Sequence, residues 1–187
     1  MRTERGRGIA SPPYPFQHPG VCLVAGSAFS LHDDINRARA LYPGAPVIAV
    51  NGASREVKAF ALVSQHPENF TARGAEWIRH QRRLFGKGFT THSPKQHSSV
   101  DYWWDIRLAG GSAWVARKIA WHMGFDLVIL CGCPLVPGNY TGHRPGMRMA
   151  KPAVVDELFG QIERDKDWHE GVYSMSGRTM ELLRSPC

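Results

Sequence analysis

The stretch Gly110-Gly111-Ser112-Ala113-Trp114 decides the fold, together with the residues downstream of it: a helical segment to about Met123, a turn at Gly124 and the apolar run Asp126-Leu127-Val128-Ile129-Leu130-Cys131. The run stops at Gly132-Cys133-Pro134. A glycine-rich turn, a helix and a short apolar strand in that order make half of a βαβ unit. Small residues at a helix start let a ligand approach backbone N–H groups, where the helix dipole favours negative charge. The expected ligand is therefore a phosphorylated or otherwise anionic small molecule.

Working outward, the same grammar recurs upstream. Val21-Cys22-Leu23-Val24-Ala25 is a continuous apolar run of the kind that forms a buried parallel strand. It runs into Gly26-Ser27-Ala28-Phe29-Ser30-Leu31, and His32-Asp33-Asp34 then opens a helix over 35–42. Asp33 and Asp34 suit its first turn through the dipole, and Pro43-Gly44 stops it. Residues 45–50 read as the next strand, ended by Asn51-Gly52. Residues 60–63 read as a third strand, with His66 at its edge, although 56–63 is ambiguous. A helix is expected over 75–84, a short strand over 89–92, a helix over 153–165 and a last strand over 171–174. Ser176-Gly177-Arg178-Thr179 starts a final short helix. Residues 134–152 are irregular and rich in Gly, Pro, His and Arg, and loops of that length are often functional.

The sum is an α/β protein: one Rossmann-like domain over 20–187, with a mostly parallel sheet and helices on both faces. A basic, Pro/Gly-rich arm over 1–19 precedes it. In such sheets ligands bind beyond the carboxyl ends of the strands. The polar and glycine-bearing segments fall there: 26–30, Asn51, His66, 110–112, 132–140 and 176–178.

Composition narrows the classes. A chain of 187 residues is sized for one domain, and 43% apolar residues are enough for a core. No apolar run approaches the ~20 residues that span a bilayer, so no membrane partner is expected. No apolar segment succeeds the charged start, so the expected location is the cytoplasm. Cys22 and Cys131 fall in core strands, Cys133 at a strand end and Cys187 at the terminus, which fits reduced thiols. Cys131-Gly132-Cys133 has the wrong spacing for zinc, and no G-x-S-x-G elbow comes after a strand. A net charge of +7 suits a nucleic acid or a phosphorylated ligand, or simply a basic surface. Local basic clusters lie at 2–7 and 79–83, without the interleaved aromatics of a single-strand groove.

Val24-Ala25-Gly26-Ser27-Ala28-Phe29-Ser30-Leu31 resembles the strand and G-x-G-P-S-L opening of a Rossmann-like family. That family includes archaeal 6-hydroxymethylpterin diphosphokinase, the motility accessory factor glycosyltransferases and, distantly, bacterial sialyltransferases. Val47-Ile48-Ala49-Val50-Asn51 resembles its second strand. Gly110-Gly111-Ser112, Met123-Gly124-Phe125 and Val128-Ile129-Leu130-Cys131-Gly132 resemble its central block, and Ser174-Met175-Ser176-Gly177 its late strand and serine. Two positions depart from the pattern. Ala28 and Phe29 replace the second glycine and the proline, and Cys133-Pro134 stands where an acid is expected.

The candidate site residues emerge from these readings. Gly26, Ser27 and Ser30 cradle a phosphate or form an ordinary tight turn. Asn51 binds a base or sugar through its amide, or simply makes an Asn-Gly turn. Gly110, Gly111 and Ser112 present a helix N-terminus, or Ser112 merely caps it. His66 beside Glu68 is a further ligand-binding candidate, or it caps a helix or bonds to the backbone. Asp101 and Asp105 flank aromatic residues and offer a Mg²⁺ pair, with Asp105 also a catalytic candidate, or they are solvated acids beside a core aromatic pair. Ser176 and Arg178 close over a phosphate, or Ser176 caps a helix. The resemblance implies that His143, after the central strand, is the general base, the alternative being a solvated loop histidine. Arg144, Arg148 and Lys151 beside it neutralise a diphosphate leaving group, or are solvated surface.

The resulting expectation is a transferase with a nucleotide or nucleotide-sugar donor, first a small glycosyltransferase acting on a nucleic-acid or other polymer acceptor. The first alternative is a Mg-ATP-dependent diphosphokinase acting on a pterin-like hydroxymethyl compound. The second is a non-catalytic nucleotide or nucleic-acid binding module.

Overall fold

The computed structural model describes residues 20–71, 75–137 and 151–186. The arm over 1–19, His143, Arg144 and Arg148 lie outside these residues. Among the described residues the strands are β1 Val21–Ala25, β2 Val47–Val50, β3 Ala61–Val63, β4 Thr90–Ser93, β5 Tyr102–Trp103, β6 Leu127–Cys131 and β7 Val172–Ser174. The helices are α1 Leu31–Leu41, α2 Ala75–Phe85, α3 Gly111–His122, α4 Pro152–Arg164 and α5 Gly177–Leu183. The strands form one sheet in the order β5-β4-β3-β2-β1-β6-β7, and every pair is parallel. This is a single Rossmann-like α/β domain.

The central strands read as unbroken apolar runs because both faces are covered. In β1, Cys22 and Val24 face one core while Leu23 and Ala25 face the other. In β6, Val128 and Leu130 join the first core, and Ile129 and Cys131 the second. This is the two-residue period of a strand buried on both sides. α3 covers the first face with Trp114, Val115, Ile119 and Ala120, and α4 adds Ile162. α1 covers the second with Leu31, Ile35 and Ala38, at helical spacing, and α2 adds Trp77 and Ile78. The two helix sets lie on opposite faces because chain travel reverses at β1. α1 and α2 carry it toward β4, whereas α3 and α4 carry it toward β7, and right-handed crossovers then cover opposite faces.

α3 is buried nearly all round, so even its charged residues need partners. Lys118 is fully buried; its ammonium pairs with Asp165 at 2.6 Å and donates to the Arg107 carbonyl at 3.2 Å. Trp114 Nε1 donates to the same carboxylate at 2.8 Å. Burial pushes Asp165 up, but the hydrogen bonds from Lys118 and Trp114 outweigh it and hold the carboxyl below its ordinary value.

Two elements differ from the sequence reading. Asn51-Gly52 does not simply end β2; it begins a 3-10 turn, Asn51–Arg55. The aromatic run after Asp101 supplies an edge strand, β5, only two residues long. Asp101 anchors that edge by accepting from Thr91 N at 2.7 Å and Thr91 Oγ1 at 2.8 Å.

Candidate functional site

The strand order reverses between β1 and β6: β1 leads away to β2 on one side and pairs with β6 on the other. Loops leaving neighbouring strands in opposite directions open a crevice at that point. A hollow of about 220 Å³ lies there. Gly26, Ser27 and Ala28 line it after β1, Val50 at the end of β2 and Asn51 just beyond it, and Gly132 to Val136 after β6. Gly110 to Trp114 bring the start of α3 to its rim, Leu158 and Ile162 come from α4, and Thr179 comes from α5. The two glycine-bearing turns singled out in the sequence thus share one cavity.

Its walls are packed backbone to backbone. A Cβ on Gly26 would sit 2.5 Å from both Cys133 Sγ and the Gly132 carbonyl, and one on Gly132 would sit 2.4 Å from the Gly26 carbonyl. Only glycine lets the β1 and β6 loops touch in this way. Gly26 N donates to Cys131 O at 2.8 Å and Ala28 N to Gly132 O at 3.1 Å.

A buried carboxylate ties this junction together. Asp34 is 1% exposed. Its Oδ2 accepts from Gly132 N at 2.9 Å, Ser30 Oγ at 2.9 Å and Ser176 Oγ at 2.6 Å. Its Oδ1 accepts from Arg37 Nη2 at 2.8 Å, and Arg37 also donates to the Met175 carbonyl. One side chain therefore joins the loops after β1, β6 and β7. Sequence reasoning assigned Asp34 only a dipole role; an acid on an otherwise apolar face, one residue before Ile35, was the available signal.

The hollow's polar character comes from neutral groups, since none of its lining residues among those described carries a formal charge. The α3 N-terminus is the positive element. Gly110 N donates to Gln161 Oε1 at 2.8 Å, and among the described residues no side chain caps the helix, so its first-turn N–H groups open onto the hollow. Asn51 stands at φ 49°, a left-handed backbone conformation, and its buried Oδ1 has no hydrogen-bond partner among the described residues. Leu135 also lines the hollow at φ 47°, which is costly for a bulky side chain. Burial pushes the Cys133 thiol up to about 12, so it stands in the wall as an inert neutral group.

The sequence-derived candidates divide accordingly. Gly26, Ser27, Asn51, Gly110, Gly111 and Ser112 line the hollow. Ser30 and Ser176 sit just behind it, with their hydroxyls on Asp34. Arg178 turns to α4, where it pairs with Asp156 and stacks over Phe159 at 4.1 Å. His66 is exposed and lies 3.2 Å from Glu68 Oε1. His66, Asp101 and Asp105 are not among the lining residues. His143 and Arg144 lie outside the described residues. No group of three or more His, Cys, Asp or Glu suited to a metal is found among the described residues.

Residues not singled out from sequence also build the site. Leu158 and Ile162 form an apolar wall, and their i,i+4 spacing was a readable sign of a shared helix face. Thr179 Oγ1 donates to the Cys133 carbonyl at 2.7 Å and fixes α5 against the β6 loop.

No family model, no curated protein and no solved structure matches this chain. No helix among the described residues is long and apolar enough to cross a membrane.

Proposed function

We propose that the switch-point hollow binds the phosphate-bearing part of a nucleotide-linked donor and that the chain is a transferase, specifically a small glycosyltransferase. The observation that carries this reading is the meeting of the α3 N-terminus, uncapped among the described residues, with the Gly26-Ser27 turn and Asn51 in one cavity where the strand order reverses. N–H groups at a helix start stabilise phosphate oxygens without a side-chain cation. The unmet Asn51 acceptor suits a sugar hydroxyl or a base N–H, reached by rotation about its broad terminal torsion. The apolar wall of Leu130, Leu158 and Ile162 suits the carbon face of a ring. At about 220 Å³ the hollow holds part of such a donor, and the remainder extends through its mouth.

In this reading the backbone positions and neutralises the leaving phosphates. His143 as general base is proposed from the resemblance, and Arg144 on the leaving phosphates from its charge and its place beside His143 in the sequence. The diphosphokinase alternative needs carboxylates beside the phosphates. Asp101, committed to Thr91, and Asp105 do not line the hollow, so no observation favours that alternative. The net charge of +7 favours a polyanionic acceptor.

The test is a thermal-shift panel of nucleoside diphosphates and nucleotide sugars, with and without Mg²⁺. A site-bound donor at 100 times its Kd stabilises by about 2.7 kcal/mol. The proposal expects at least one nucleotide sugar to raise Tm in the wild type and to lose that effect in Ser112→Trp, which fills the hollow. No shift from any member of the panel would overturn it.

A further inference from the structure

A second cavity, of about 410 Å³, lies outside the switch point and is lined by Arg55, Glu76, Arg79, His80 and Arg83. Four of these sit on α2 at spacings of three and four residues, which places them on one helix face. Arg55 arrives from the other wall, at the end of the 3-10 turn whose first residue, Asn51, lines the switch-point hollow. The three arginines against Glu76 leave two net positive charges in the cleft. Glu76 is engaged by Arg55 at 2.5 Å, so it orients that guanidinium rather than cancelling the other two. Arg83 donates to His80 Nδ1 at 3.3 Å.

The cleft is held in shape from behind. Gln81, on the opposite face of α2, is fully buried and donates to the Val57 carbonyl at 2.6 Å and to the Ser54 carbonyl. It also accepts from Ala59 N at 3.4 Å. A buried amide with three backbone partners fixes α2 against the turn that carries Arg55. The guanidiniums therefore project from a rigid frame, which lowers the entropic cost of binding an anion.

We infer that this cleft binds phosphodiester groups of a nucleic-acid strand. Guanidinium forks match phosphate oxygens. Arg79 and Arg83 are both exposed and stand four residues apart, a rise of about 6 Å. An offset of about 6 Å lets the two guanidiniums meet neighbouring phosphates of one strand. Among the described residues no Phe, Tyr or Trp lines the cleft, so it contacts backbone rather than stacked bases, and binding is insensitive to sequence. As a phosphate site the inference stands on the cleft alone. As the place where an acceptor strand lies beside the donor, it rests on the transferase reading.

The experiment measures fluorescence anisotropy of a labelled mixed-sequence 30-nucleotide DNA strand (an arbitrary length of about this size) titrated with full chain over a range of salt. The variants are Arg79→Glu with Arg83→Glu, and a charge-matched control, Arg164→Glu with Lys166→Glu, around the end of α4 on the opposite face of the sheet. The wild type is expected to bind. The α2 variant should lose at least about tenfold in affinity, and the slope of log K against log salt should flatten by about 1.4, roughly 0.7 for each of two phosphate contacts on a single strand. The control should lose much less. Absence of binding by the wild type at low salt, or equal losses in the two variants, would overturn the inference. Inorganic phosphate at matched ionic strength is the second probe. Saturable phosphate binding that depends on Arg79 and Arg83, without strand binding, would overturn the nucleic-acid assignment. Nucleotide-induced thermal shifts should persist in the α2 variant, so failure of the cleft and failure of the switch-point reading give different results.

Discussion

Replacing Asp34 tests whether the switch point is held by one buried carboxylate. In Asp34→Asn the amide oxygen can keep the three donors from Gly132, Ser30 and Ser176. Its NH₂ then faces Arg37, whose side chain is 56% exposed and can turn to water. One charge-assisted bond is lost, about 1.5–3 kcal/mol before the guanidinium rehydrates, so a cost near 1.5 kcal/mol is expected. In Asp34→Ala the two serine hydroxyls, 3.0 Å apart, can satisfy each other, but the Gly132 N–H is left buried without an acceptor. Adding an orphaned donor and a lost buried anion gives about 3–5 kcal/mol. The assay is urea denaturation at neutral pH. With a slope of about 2 kcal/mol/M, the midpoint should fall by roughly 0.7 M for Asn and 1.5 M or more for Ala. Hydrogen exchange adds a local readout: the Gly132 amide should keep its protection in Asn and lose it in Ala. A midpoint for Ala within about 0.3 M of wild type, or Asn costing more than Ala, would refute the reasoning.

Other perturbations have equally definite outcomes. His92 is buried, and its pKa is lowered to about 4, first by desolvation; its Nδ1 accepts from Trp104 Nε1 at 3.1 Å, and a proton there would oppose a donor. Because the unfolded chain takes that proton near pH 6.5 and the folded chain only near 4, stability present above pH 6.5 should fall by about 3 kcal/mol across that window, and His92→Gln should flatten the dependence in urea melts at stepped pH. Gly26→Ala places a Cβ 2.5 Å from the Gly132 carbonyl, so it should cost about 1–3 kcal/mol in thermal unfolding, and Cys133→Ala should not rescue it because the carbonyl contact remains. Asp165→Asn strands the buried Lys118 ammonium and should cost about 3–5 kcal/mol, while Lys118→Met with Asp165→Asn should cost less than the single change in a double-mutant cycle. Cys133, with its thiol raised to about 12 by burial, should resist alkylation at pH 8 in the folded protein and react once urea unfolds it.

The parallel sheet was legible because burial on both faces writes itself as unbroken apolar runs: 21–25, 126–131 and most of 45–50 each became a central strand. β5 was not legible. Two residues at a sheet edge carry no period, and the edge depends on the carboxylate of Asp101 reaching Thr91, ten positions away. The glycine turns of the hollow could be read because a strand, a turn and a helix succeed one another locally. Which hydroxyls face the hollow and which face Asp34 could not be read, since that depends on three loops meeting. Ser30 and Ser176 lie 146 positions apart and reach the same carboxylate oxygen. The basic run 79–83 was visible as charge, but the cleft needs Arg55 from another element and Gln81 to pin the two together.

The most direct test of the central claim is a ¹⁵N–¹H titration of the full chain with the nucleotide sugar that gives the largest thermal shift. The account predicts saturable shifts at the amides of Ser27, Asn51, Gly111 and Ser112, which come from three separate segments but border one cavity. Perturbations confined to the β4–β5 edge, with those four amides unmoved, would contradict it.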